Sequence, residues 1–236
     1  MASSKKLSEA DLLRAASHPV VRGVIQGLLG VQPAMVIADE PLHPHRSDCP
    51  TQVARCGVMD IEEFWDFIEQ ARTRAADSAD AEDIAHEATV LLATQEPEQI
   101  VSTEQILSEL MAVSYQAPLW AAAYVINGGC SDDGFDYFRG WLITQGRTAF
   151  ERVVADPDHL ADLPAVRAAV AAGIDLECES MLYIASNAYR TASGQELPSD
   201  FFTVSYPDLD PAWNFSFEDH NRIAARLPRT VALYDE

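Results

Sequence analysis

The chain has 236 residues, 48% of them hydrophobic and 22% charged, with a formal net charge of −21 at pH 7. That length and apolar content suit a globular protein with a sizeable core rather than a disordered one. The acidity would repel a phosphate backbone and argues against nucleic acid as a partner.

No apolar run reaches the roughly 18–20 residues that a membrane span needs. Lys5 and Lys6 are followed by Glu9, Asp11 and Arg14, not by the apolar stretch of a signal peptide. The expectation is a soluble cytoplasmic protein with no membrane partner. Cys49, Cys56, Cys130 and Cys178 match no zinc-finger or thioredoxin spacing, so they are expected as free thiols in a reducing compartment. The charge is uneven. Residues 1–58 hold six Lys/Arg and five Asp/Glu, leaving ten basic and 32 acidic residues for 59–236. Such a face is either solubilising or complementary to a basic partner.

In chain order, Ser8 with Asp11 is a plausible helix start, and Pro19 suits a first helical position. Val20, Val21, Val24, Leu28 and Leu29 make an apolar stripe, weakened by Gly23 and Gly27. Residues 31–57 show no periodicity, and Pro33, Pro41, Pro44 and Pro50 favour extended chain. The division expected is therefore an N-terminal extension over 1–58, with short helices and an irregular linker, and a helical domain over 59–236.

That domain opens with Asp60 and Glu63 as a capping-box pair, then Ile61, Phe64, Trp65, Ile68 and Ala71 at helical spacing. A second helix is expected over 80–94. A third is expected from Ser102, with Gln105 at the capping-box position, ending before Pro118. Residues 119–127 read as a short buried helix closed by Gly128 and Gly129. Ser131 caps the next helix, which carries Phe135, Phe138 and Leu142 on one stripe and is expected to run past Gly146 to Val154. Gly140 there predicts a close approach by another element. Pro157 and Pro164 open short helices. Asp175 is expected to cap a long helix closed by Gly194, with a loop over 195–215 and a last helix from Ser216 to about Leu227. No strand pair and no internal repeat is visible. The fold class expected is all-α: a compact multi-helix single domain with an N-terminal helical extension.

Three constellations could carry chemistry. Around the Ser131 turn, Asp132, Asp136 and Arg139 share a helix face, and Asp133 points elsewhere. Two such carboxylates could hold a divalent metal or act as acid and base; the plain alternative is that they cap the helix and Arg139 pairs with Asp136. On the expected long helix, Asp175, Glu179 and Tyr183 follow at i+4 steps, as a second half of the pocket or as a solvated face. In the linker, His43, His45, Cys49 and Cys56 offer four soft donors for a transition metal, though their spacing is not that of a finger. Cys130 beside a helix N-terminus could be a nucleophile, although no His is placed to activate it. Nothing in the sequence requires a cofactor.

The strings Met59-Asp60, Phe64-Trp65, Leu119-Trp120-Ala121-Ala122-Ala123-Tyr124, Gly128-Gly129-Cys130-Ser131-Asp132-Asp133-Gly134-Phe135, Phe138-Arg139 and Trp141-Leu142-Ile143 resemble a bacterial family, the domain of unknown function 4240. Gln145-Gly146, Asp156-Pro157-Asp158, Arg226-Leu227-Pro228 and Ala232-Leu233-Tyr234 also fit it. The resemblance covers about 59–236 and implies no activity. The first 58 residues depart from the family pattern. Their layout, a leader-like helical part (7–30) before a Pro/His/Cys-rich part (41–56), resembles a precursor peptide fused to a peptide-handling protein.

Two functions are expected. One is a recognition protein that binds a small polar or cationic ligand, or a peptide, through Trp120, Asp132, Asp133, Arg139, Trp141 and Tyr183. The other is a peptide-modifying enzyme of natural-product biosynthesis, with Asp132, Asp133 and Glu179 as catalytic carboxylates. The sequence gives no oligomeric state.

Overall fold

In the computed structural model, residues 58–198 and 204–234 are described, and they contain helices and loops but no strand. The linker residues His43, His45, Cys49 and Cys56 lie outside the described residues, as do the short helices expected before Met59.

The first helix, α1 (Ile61–Arg74), begins where the sequence pattern puts it. Asp60 accepts from the Glu63 N–H at 2.9 Å and Glu63 returns the bond to the Asp60 N–H at 3.1 Å, closing the capping box. Phe64, Trp65, Ile68 and Ala71 are buried on one stripe. Helix α2 (Ala81–Leu92), capped by Asp80, turns Ile84, Ala88, Leu91 and Leu92 inward and packs on α1. Each large aliphatic side chain buried in this way contributes about 1.5–3 kcal/mol.

Helix α3 (Pro97–Val113) starts five residues before the expected Ser102. Pro97 takes the first helical turn, where its missing N–H costs nothing. Ser102 is a buried mid-helix residue. Its hydroxyl donates to the Gln99 carbonyl (3.0 Å) and accepts from the Met59 N–H (2.9 Å), tying the domain's first residue to α3. Helix α4 (Ala117–Ile126) is nearly all apolar, as expected of a buried element.

Helix α5 (Asp132–Thr144) is the hub and packs against α2, α3 and α4. Gly140 allows the Cys178 backbone to touch it: a Cβ at this position would overlap the Cys178 carbonyl oxygen. The helix stops at Gln145 instead of continuing. Gly146 adopts φ 85°, which only glycine takes cheaply, and α6 (Arg147–Ala155) leaves in a new direction. A 3-10 turn (Pro157–Asp162) and α7 (Pro164–Ala172) follow, both opened by proline.

The long helix expected from Asp175 does not form. Residues 174–179 are irregular, Ser180–Tyr183 is a 3-10 turn, and α8 spans only Ile184–Ser193. The backbone of the irregular stretch bonds to distant partners instead: the Leu176 N–H to Asn127 Oδ1 (3.0 Å) and the Cys178 N–H to the Tyr137 carbonyl (2.9 Å). Every such bond satisfies a group that a helix would otherwise have used. Helix α8 packs on α2 and α3 and ends at Gly194 with φ 71°.

The expected last helix is divided into α9 (His220–Ala224), capped by Asp219, and α10 (Pro228–Val231). Asp158 holds α10 to the body. Its carboxylate accepts from the Thr230 N–H (2.8 Å), the Thr230 hydroxyl (3.0 Å) and the Arg229 N–H (3.1 Å). Both Asp158 and Thr230 are buried. No helix of the described residues is long and apolar enough to cross a membrane.

Candidate functional site

The glycine turn before α5 is built as the sequence suggests. Gly128 and Gly129 have φ 65° and 144°, and the Ser131 hydroxyl accepts from the Gly134 N–H at 3.1 Å. Asp132 and Asp133 occupy the first helical turn, where the macrodipole favours anions. Both are exposed. Tyr137 lies near Asp133, Glu179 and Tyr183. The Tyr137 hydroxyl is hydrogen-bonded to Glu179 and held above its ordinary pKa, by desolvation first and then by the Glu179 and Asp133 charges. Glu179 and Tyr183 are themselves exposed, so this is a polar surface cluster rather than a recess.

Arg139 points the other way. It is only 1% exposed, bonded to the Met111 and Phe135 carbonyls and paired with Asp136, which is half-exposed. Its guanidinium also lies over the rings of Phe135 (4.7 Å), Tyr115 (5.2 Å) and Tyr206 (5.8 Å). A buried charge needs this many partners to offset desolvation. Trp141 is a core residue against Phe138.

Trp120 is the expected binding residue that reaches a recess. Its ring stacks on Phe135 (4.9 Å, 9° between planes) and its Nε1–H donates to the Cys130 carbonyl at 3.1 Å. Arg139, Phe135 and Trp120 thus form one stack. Trp120, Tyr124, Ala117 and Cys130 make one side of a cleft of about 640 Å³. The other side is the segment 209–218, whose Trp213, Phe215 and Phe217 alternate along the chain. Asp210 Oδ1 accepts from the Ala212 N–H (2.9 Å) to hold a 3-10 turn, Pro211–Trp213. Trp213, Phe215, Phe217 and Tyr124 touch in sequence with ring centroids 5.9–6.1 Å apart. Arg222 and Arg226 cover faces of Phe215 and Trp213 outside the lining residues, and Asp219 lies 3.8 Å from Arg222.

The site expected from the sequence is therefore dispersed. Asp132, Asp133, Arg139, Trp141, Glu179 and Tyr183 do not line the cleft, and Trp120 does. The common-face reading of Asp175, Glu179 and Tyr183 fails because no helix spans them. The cleft wall was missed. Its signal was the aromatic alternation Trp213-Asn214-Phe215-Ser216-Phe217 between Asp210 and Glu218, in a stretch that read only as loop.

Cys130 lines the cleft, yet its thiol is pushed up to about 12, by burial first and then by the carboxylate of Glu177. The helix N-terminus does not make it a thiolate. Among the described residues no group of three or more His, Cys, Asp and Glu is placed to hold a metal ion.

An all-helical protein with an aromatic, acid-flanked cleft is the class this geometry defines. The chain belongs to the family described as protein of unknown function (DUF4240), which it matches over residues 59–191, more than half its length. No curated protein and no solved structure matches it significantly.

Proposed function

We propose that this is a recognition protein whose cleft binds a cationic group carried by a small ligand or a peptide. The observation behind the reading is the lining: five aromatic rings and the carboxylates of Asp210 and Glu218, with no Lys, Arg or His among the described lining residues. Aromatic faces attract cations through their quadrupole, by about 0.5–2 kcal/mol each. The volume lies within the range of ligand sites, roughly 300–1,000 Å³. The acidity of residues 59–236 would raise the local concentration of a cation and speed its arrival.

The enzymatic reading gains less support. Asp132, Asp133 and Glu179 are exposed, and the thiol in the cleft is protonated at neutral pH. A cytoplasmic location fits the free thiols of Cys130 and Cys178.

The reading is tested by titrating the full chain, followed by tryptophan fluorescence, with blocked arginine, blocked lysine, tetramethylammonium and acetate. Saturable binding by at least one cation, absent for acetate and weakened at least tenfold in Trp120→Leu, is the expected result. No response to any of the three cations would overturn it.

A further inference from the structure

We propose that the cleft takes an arginine side chain within a peptide or protein partner, in preference to a lysine or a quaternary ammonium; this rests on the cation-binding reading above. Phe135 stacks on Trp120 and Tyr115 lies tilted beside it at 6.1 Å, holding the indole in place where it lines the cleft. The far side of Phe135 carries the Arg139 guanidinium at 4.7 Å. A flat, fixed indole is a platform for a flat cation. Trp213 and Phe215 already accept the Arg226 guanidinium at 5.4 and 4.8 Å.

Planarity then decides between cations. A guanidinium lying on Trp120 keeps its five N–H groups in its own plane, free to bond carboxylates. Asp210 and Glu218 supply carboxylates in the same cleft. A bidentate guanidinium–carboxylate pair is stronger and more directional than a point contact from an ammonium. A quaternary ammonium donates no hydrogen bond and leaves both carboxylates unanswered.

The same lining distinguishes a peptide from the free amino acid. Free arginine carries an α-ammonium and also an α-carboxylate, for which the lining offers no Lys, Arg or His. Inside a peptide that group is a neutral amide. Around the cleft wall, Asp208, Asp210, Glu218 and Asp219 outnumber Arg222 and Arg226, so the local field favours a cationic segment.

The test uses the full chain and the tripeptides acetyl-Gly-Arg-Gly-amide, acetyl-Gly-Lys-Gly-amide and acetyl-Gly-citrulline-Gly-amide, with free arginine, methylguanidinium and tetramethylammonium alongside. Calorimetry should show the arginine peptide binding at least tenfold tighter than each of the other five. In Asp210→Asn with Glu218→Gln, the arginine-over-citrulline preference should fall at least fivefold. Asp210→Asn keeps the oxygen that accepts from Ala212, so the turn is retained. Equal binding of the lysine peptide or tetramethylammonium would overturn the arginine assignment while leaving cation recognition standing. Equal binding of methylguanidinium or free arginine would overturn the peptide assignment. An unchanged preference in the double variant would overturn the role of the two carboxylates.

Discussion

At the scale of single residues, Cys130 shows how a sequence signal can be inverted by its surroundings. A cysteine beside a helix N-terminus is the usual setting for a depressed thiol pKa. Here burial, Glu177, Asp132 and Asp136 all favour the neutral thiol, and Arg139 alone opposes them. Cys178 is likewise raised to about 12, by burial and then by Glu82. Both thiols stay protonated in the folded chain well above their ordinary value of 9.0. The unfolded chain therefore binds fewer protons between pH 9.0 and about 12, and stability falls as pH rises through that window. Urea midpoints should decline from pH 8.5 to 10.5, and the decline should be shallower in Cys130→Ala with Cys178→Ala. An equal slope in the variant would show that other groups cause it.

At the scale of elements, what was legible depended on whether a signal was local. Asp60 with Glu63 and Ser131 before its acidic turn act within four residues, and both caps are where the sequence puts them. The all-helical class and the family were legible too. The stretch after Asp175 was not, because its backbone is claimed by Asn127 and Tyr137, far away in sequence. The same holds for Ser102, whose apparent capping role yields to the Met59 N–H and the Pro97 start. Trp120 was singled out in the sequence and lines the cleft, whereas the opposite wall lies about 90 positions away and has no helical period to announce it. Gly140 gives a prediction at this scale. Alanine is the better helix former by about 1 kcal/mol, but its methyl would meet the Cys178 carbonyl oxygen. Gly140→Ala should therefore destabilise by about 1–3 kcal/mol, as overpacking does, read as a lower urea midpoint at an unchanged m-value. A rise in stability would mean that the irregular stretch moves aside freely.

At the scale of the whole molecule, the described core opens at Met59. This residue is 8% exposed, donates its N–H to Ser102 and accepts from the Thr103 hydroxyl through sulfur at 3.1 Å. It is also where the family match begins. A chain starting at Met59 should unfold cooperatively, with a urea midpoint within about 0.3 M of the full chain, since a change in stability that leaves m unaltered appears as a shift in midpoint. Aggregation of the shortened chain alone would show that the apolar stripe around Val20–Leu29 belongs to the core. At the other end, the core outlasts the family match: Ile223, Leu227, Thr230 and Val231 are buried, and Asp158 holds Thr230.

The two sides of the cleft come from different stretches of chain. Trp120, Tyr124 and Cys130 stand within the family match, and the segment 209–218 lies beyond it, with its three rings half-exposed. A lineage, or a designer, can therefore rewrite one side of the cleft while the hub helix and its stack stay untouched. Grafting a new stretch between residues 208 and 219, past Tyr206 and ahead of the Ile223 anchor, would change the lining of the cleft without asking the fold to be invented again.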